Sequence, residues 1–258
     1  MPFFIMLGPR FFIFISEVLR QVWILTFHYR LSQEDKETLD KYFPYYSNLK
    51  PAHQKEFRHK LQLILTQKRF FARGGLDRVS AEMKVLIGAT IVQVTFGYRN
   101  VWLKHFNKIL IYPNTYFSNI SKTYHRGEVN PRHGIIVLSW ECFVRGLALD
   151  HDGVNLGIHE IAHALKLENQ IQYNGESNFF NPKLWQEYSE LASEEKELLK
   201  RGEDDFFRER GAVDHHEFFA VALENFFERP DEFKSRKPEL YQVLVMLLQQ
   251  DPLTLRAV

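Results

Sequence analysis

Polar and apolar residues recur at helical spacing over residues 33–43 and 51–70, and prolines at 44 and 51 punctuate the two predicted helices. In the second, Phe57, Leu61, Ile64 and Leu65 make one apolar face, with Lys55, Glu56, Arg58 and Lys60 expected in solvent. A turn is predicted at Gly74-Gly75. Ser80-Ala81-Glu82-Met83 has the form of a helix start, and Val85 to Phe96 is apolar enough to be a buried helix. Two runs read as strands: Lys108 to Tyr112, ended by Pro113, and residues 135–140, which follow Pro131 and Gly134. Residues 183–200, 214–228 and 238–249 predict further helices, the last two arranged around Pro230. Helices, then a few strands, then helices again predict an α+β fold, mostly helical, whose small sheet covers one side of the helix around residue 160. No composition break marks a second domain, so residues 31–258 read as one domain.

The amino terminus follows a different pattern. Residues 3–27 are rich in Phe, Ile, Leu and Val, but Arg10, Glu17, Arg20 and Gln21 interrupt them. No uninterrupted apolar stretch approaches the roughly 20 residues of a spanning helix. Ser16, Glu17, Arg20, Gln21 and His28 form a narrow polar stripe on an otherwise apolar helix. No small-residue cleavage site is evident. Three readings of residues 1–30 stay open: a helix packed on the body, a helix on a membrane surface, and a weak signal anchor.

Composition narrows the chemistry. With 258 residues, 45% of them apolar, the chain can bury one large core or two small ones. A net charge of +1 gives no broad electrostatic footprint for nucleic acid. The single cysteine, Cys142, excludes an intramolecular disulfide and fits a reducing, cytoplasmic setting. It also excludes an all-thiolate metal site, which directs any metal chemistry to histidine and carboxylate ligands.

That chemistry has an obvious seat. His159-Glu160-Ile161-Ala162-His163 places two imidazoles four residues apart, one above the other on a helix face, where both can hold one zinc ion. Glu160 stands beside the first, placed to act as general base on a metal-activated water. Ile158, Ile161, Ala162 and Leu165 supply the apolar side of that helix. A third ligand must come from elsewhere, and the segment from Asp214 to Glu224 is the best source. Glu217, Glu224, and His215 or His216 are all candidates. Glu217 has a plainer reading too, because Asp214-x-x-Glu217 fits an acidic capping box.

At this point the chain resembles the Mlc titration factor A family of bacterial zinc peptidases, whose metal core is similar to that of anthrax lethal factor. The resemblance covers roughly residues 33–253 and rests on short matches in family order. They include Gln67-Lys68-Arg69-Phe70-Phe71, Ser80 to Gly97, Leu110-Ile111-Tyr112-Pro113 and Ile136-Val137-Leu138-Ser139-Trp140. Asp152 to Glu160, Glu217-Phe218-Phe219-Ala220-Val221, Glu224-Asn225-Phe226-Phe227 and Gln250-Asp251-Pro252-Leu253 complete the series. The resemblance implies a zincin-like fold in which His159, His163 and Glu217 bind zinc and Glu160 is catalytic. It gives Glu224 a supporting role.

Two positions depart from the family pattern. Members carry a tyrosine seven residues before the third ligand, thought to help stabilise the oxyanion, and here that position is Arg210. An arginine could still serve a developing oxyanion, or it could point away. The aspartate that members carry shortly after the second zinc histidine is Lys166 here, with Glu168 a candidate to support the site instead. The expected activity is peptide-bond hydrolysis in a peptide or protein substrate, paired along the edge of the strand containing Ile135 to Trp140. The resemblance also implies an alternative, a regulatory protein that sequesters a transcriptional repressor, with zinc structural or vestigial.

Overall fold

The computed structural model describes residues 29–117, 122–149, 151–172 and 175–257, so the apolar segment 3–27 and its three readings lie outside the described residues. Among the described residues no helix is long and apolar enough to cross a membrane. The architecture is α+β and mostly helical, as the sequence pattern predicts. Helices Gln33–Tyr42, Pro44–Ser47, Pro51–Gln67 and Ala81–Thr95 come first, interrupted by strand β1 (Arg69–Ala72). Strands β2 (Lys108–Tyr112), β3 (Tyr116–Phe117), β4 (Tyr124–His125), β5 (Gly127–Asn130) and β6 (Ile135–Ser139) follow. Helices Trp140–Ala148, Leu156–Gln170, Pro182–Arg201, His215–Glu228, Pro230–Arg236, Pro238–Leu248 and Pro252–Leu255 complete the described chain.

Caps explain several of these boundaries. Ser80 accepts from the Met83 amide, Asn155 from Ile158, and Asp214 from His216 and Glu217. Each satisfies donors that the first turn of a helix leaves unpaired. The helix predicted over 51–70 ends earlier, at Gln67, because Lys68 turns extended and Arg69 to Ala72 pair with Lys108 to Ile111. Lys60, expected in solvent, is buried and donates to the carbonyls of Phe96 and Tyr98.

The main sheet has the order β1-β2-β6-β5, with β1, β2 and β6 parallel and β5 antiparallel to β6. This corrects one expectation. The strand beginning at Ile135 is interior, hydrogen-bonded to β2 on one side and β5 on the other, and has no free edge. The edge strands are β1 and β5, and β5 is the one that lies against the helix Leu156–Gln170. The two helices that matter most, Leu156–Gln170 and His215–Glu228, pack on each other, and the first also lies against β5 and β6. Ile158, Ile161, Ala162 and Leu165 are at most 1% exposed, so the apolar side predicted for the first helix is its packing face. Burying an Ile or Leu side chain stabilises a fold by roughly 1.5–3 kcal/mol, which makes this face the helix's main anchor.

Gly97 marks where the buried helix Ala81–Thr95 meets the carboxy-terminal helices. A methyl group there would lie 2.2 Å from the Leu248 carbonyl oxygen and 2.4 Å from that of Gln249, both backbone atoms. Gly97→Ala should therefore lower the melting temperature by an amount equivalent to about 1–3 kcal/mol. Thermal unfolding followed by circular dichroism checks this, and an unchanged melting temperature would contradict the packing described.

Candidate metal centre

Helix Leu156–Gln170 presents His159 and His163 one turn apart, and helix His215–Glu228 presents Glu217 in its first turn. Among the described residues these three make the one group of His, Cys, Asp or Glu side chains whose donor atoms all lie within 4.8 Å of one another. His159 Nε2 is 3.2 Å from His163 Nε2 and 3.4 Å from Glu217 Oε2, and His163 Nε2 is 3.6 Å from Glu217 Oε1. The two rings stand nearly perpendicular, at 89°. The capping-box alternative for Glu217 is resolved by direction: Asp214 caps the helix, while the Glu217 carboxylate turns towards the histidines.

The other candidates from the same segment lie outside this cluster. The ring of His216 is 6.4 Å from that of His163, and the His215 carbonyl accepts from Lys166 Nζ at 3.1 Å. Lys166, which also lies over the Trp185 ring, thereby ties the two helices together. Glu168 does not support the site. It points off the opposite side of the helix and accepts from the His105 amide, and burial raises its pKa to about 7.

Glu224 lies two turns after Glu217 and is fully buried. Its Oε1 accepts from His159 Nδ1 and from Arg208 Nη2, both at 2.5 Å, and its Oε2 from the Asn155 amide at 3.0 Å. The bond to Nδ1 fixes the ring and directs Nε2 towards His163 and Glu217. Burial disfavours a charged His159, but hydrogen bonds with Glu217 and Glu224 outweigh it and raise its pKa to about 9. Glu217 also pays for burial, yet its bonds to His159, His163 and Arg210 hold it well below the usual carboxylate range.

Arg210, a candidate to face a developing oxyanion, lines the cleft and grips Glu217. Its Nε lies 2.5 Å from Glu217 Oε2 and its Nη2 3.2 Å from Oε1, a two-point fork. Glu160 is buried, and desolvation raises its pKa to about 7. Its carboxylate lies against Gly127 on the edge strand, where a Cβ would come within 2.5 Å of Oε1. A cleft of about 460 Å³ opens over this arrangement, lined by Tyr124, Gly127, Cys142, His159, Glu160 and Arg210 among others.

Gly127, Arg208 and the orienting bonds of Asn155 had no signal in the local sequence, because only long-range pairing brings them here. Behind the site, Asn155 Nδ2 donates to Glu228 Oε1 at 2.9 Å, and Glu228 Oε2 is buried without a hydrogen-bond partner among the described residues. Desolvation raises the Glu228 pKa to about 8. An acid whose pKa is higher folded than unfolded loses stabilisation as pH rises from its unfolded value through its folded one. Glu228→Gln should remove that loss: its melting temperature, relative to the parent, should rise between pH 5 and pH 9. A constant difference across that range would contradict the assignment.

The model of the glucose-regulated metallo-peptidase M90 family matches residues 18–249. An uncharacterized protein of Synechocystis is 30% identical over 229 residues, 81% of each chain. Mlc titration factor A of Klebsiella pneumoniae is 27% identical over 228 residues, 81% of this chain and 84% of that one. The Yersinia pestis protein of the same name is 27% identical over 212 residues, 74% of this chain and 75% of that one. With its model spanning nearly the whole sequence and these relatives similar over most of their length, the chain belongs to the glucose-regulated metallo-peptidase M90 family.

Proposed function

We propose that this protein is a zinc-dependent peptidase with His159, His163 and Glu217 as metal ligands and Glu160 as general base. The observation that carries the reading is the spacing of the three donors. In a tetrahedral site with bonds of about 2.1 Å, ligand atoms sit about 3.4 Å apart. The distances here are 3.2, 3.4 and 3.6 Å. Two imidazole nitrogens and one carboxylate suit zinc, and three protein ligands leave a fourth position for water or substrate. When bound there, zinc would supply a Lewis acid that makes water nucleophilic near neutral pH and polarises the scissile carbonyl.

The chain's own groups would do the rest. Glu160 would accept the proton of the attacking water and return it to the leaving amine, and a carboxyl raised towards neutrality by burial can both take and give a proton there. β5, an edge strand among the described residues, would align an extended peptide by strand addition, while its Gly127 lets the Glu160 carboxylate lie close against the sheet face. Glu224 would hold His159 in its ligand orientation.

A second reading is supported by the relatives named Mlc titration factor A. It is sequestration of a protein partner, with the metal in a structural role. The two separate on one variant. Glu160→Gln should retain one zinc per chain while losing cleavage of a mixed peptide library by roughly 10²–10⁴-fold. Full activity in this variant would refute the base assignment, and absence of cleavage in the parent would favour the partner-binding reading. Gly127→Ala should keep zinc and reduce kcat, because the new methyl group displaces the Glu160 carboxylate. Wild-type kcat would count against β5 as the wall of the site.

A further inference from the structure

Two arginines two residues apart, Arg208 at the start of the 3-10 turn Glu209–Ala212 and Arg210 within it, each grip one carboxylate of helix His215–Glu228. Arg208 holds the buried Glu224. Arg210, half exposed, holds Glu217 by the fork described above. The turn is itself fixed: Gly211 donates to the Arg208 carbonyl, Val213 to that of Arg210, and Gly211 packs against Phe218, Leu199 and Val221. The arginines are therefore presented from a firm base.

The consequence lies in who shares Glu217. Oε2 is shared between Arg210 Nε at 2.5 Å and His159 Nε2 at 3.4 Å, and Oε1 between Arg210 Nη2 at 3.2 Å and His163 Nε2 at 3.6 Å. Each carboxylate oxygen that could reach an ion between the histidines already accepts a charge-assisted hydrogen bond. Such a bond withdraws electron density from a donor atom, and the guanidinium charge repels a dication. The same contact compensates the Glu217 charge in a cluster that also contains Glu160 and Glu224.

We propose that Arg210 competes with the metal for the Glu217 carboxylate and so weakens zinc binding, so that metal loading is tuned by this one contact. The inference rests on the zinc reading of the site. Arginine and zinc both draw on Glu217, and linkage makes their effects reciprocal: whatever the fork contributes to the apo-protein is subtracted from metal affinity. A residue with only a structural role would act the other way, since its loss would loosen the site and the metal with it.

The test is zinc affinity, measured by competition with a chromophoric chelator on the full chain, together with thermal unfolding with and without zinc. Arg210→Gln and Arg210→Met should each bind zinc roughly tenfold more tightly than the parent. The apo-form of each should melt lower, and the zinc-induced rise in melting temperature should be larger. In a Glu217→Gln background, Arg210→Gln should leave the residual affinity unchanged. Unchanged or weaker zinc binding in both Arg210 variants would overturn the proposal while leaving the zinc site intact. A parent that binds no zinc would overturn the proposal and the zinc reading together.

Discussion

The buried carboxylate of Glu224 is the interaction on which the site depends. It belongs to one helix and reaches the other twice, through the His159 ring and the Asn155 amide at that helix's start, while Arg208 closes it from the side. A charge this deep is tolerable only when every lone pair is used, and removing one partner of such a group costs far more than the net worth of its bond. The constraint therefore fixes the relative rotation of the two helices. Once it is fixed, Glu217, two turns earlier on the same helix, can meet His159 and His163. The metal geometry is a consequence of packing as much as of the motif.

Charge balance is the second organising feature. Glu160, Glu217 and Glu224 crowd around two histidines, and Arg208 and Arg210 compensate the last two. Glu160 makes no such fork; it lies against Gly127 of β5, and burial, reinforced by the Glu217 and Glu224 charges and opposed by His159 and Arg210, sets its proton affinity high. On the proposed reading, that asymmetry separates roles by environment: the carboxylates paired with arginine would serve as structure or ligand, and the one left in a poorly solvated niche is suited to proton transfer.

Much of this was legible in the sequence. The helices were read from their apolar spacing and their caps, Ser80 and Asp214 among them, because those signals are local. So was the pair His159 and His163, which needs only one helix turn. Glu217 was harder, since Glu224, His215 and His216 stand in the same segment; spacing favoured it and the resemblance favoured it further, and its carboxylate is the one that turns towards the two histidines. The strands were read least well. Gly127-Glu128-Val129-Asn130 has a single large apolar residue and exists as a strand because it pairs with Ile135 to Leu138. Arg69 to Ala72 continued the apolar face of the preceding helix and became a strand only through β2. Arg208 and Arg210 carried no spacing signal for the carboxylates they bind, and the interior place of β6 followed from the unseen β5.

The central claim is that one metal ion sits at the junction of the two helices. Anomalous diffraction from crystals grown with zinc, collected above and below the zinc absorption edge, addresses it without reference to activity. The account predicts one strong peak per chain, about 2.0–2.2 Å from His159 Nε2, His163 Nε2 and a Glu217 oxygen. A peak elsewhere, or none in crystals whose His159 and Glu217 are well ordered, would contradict it.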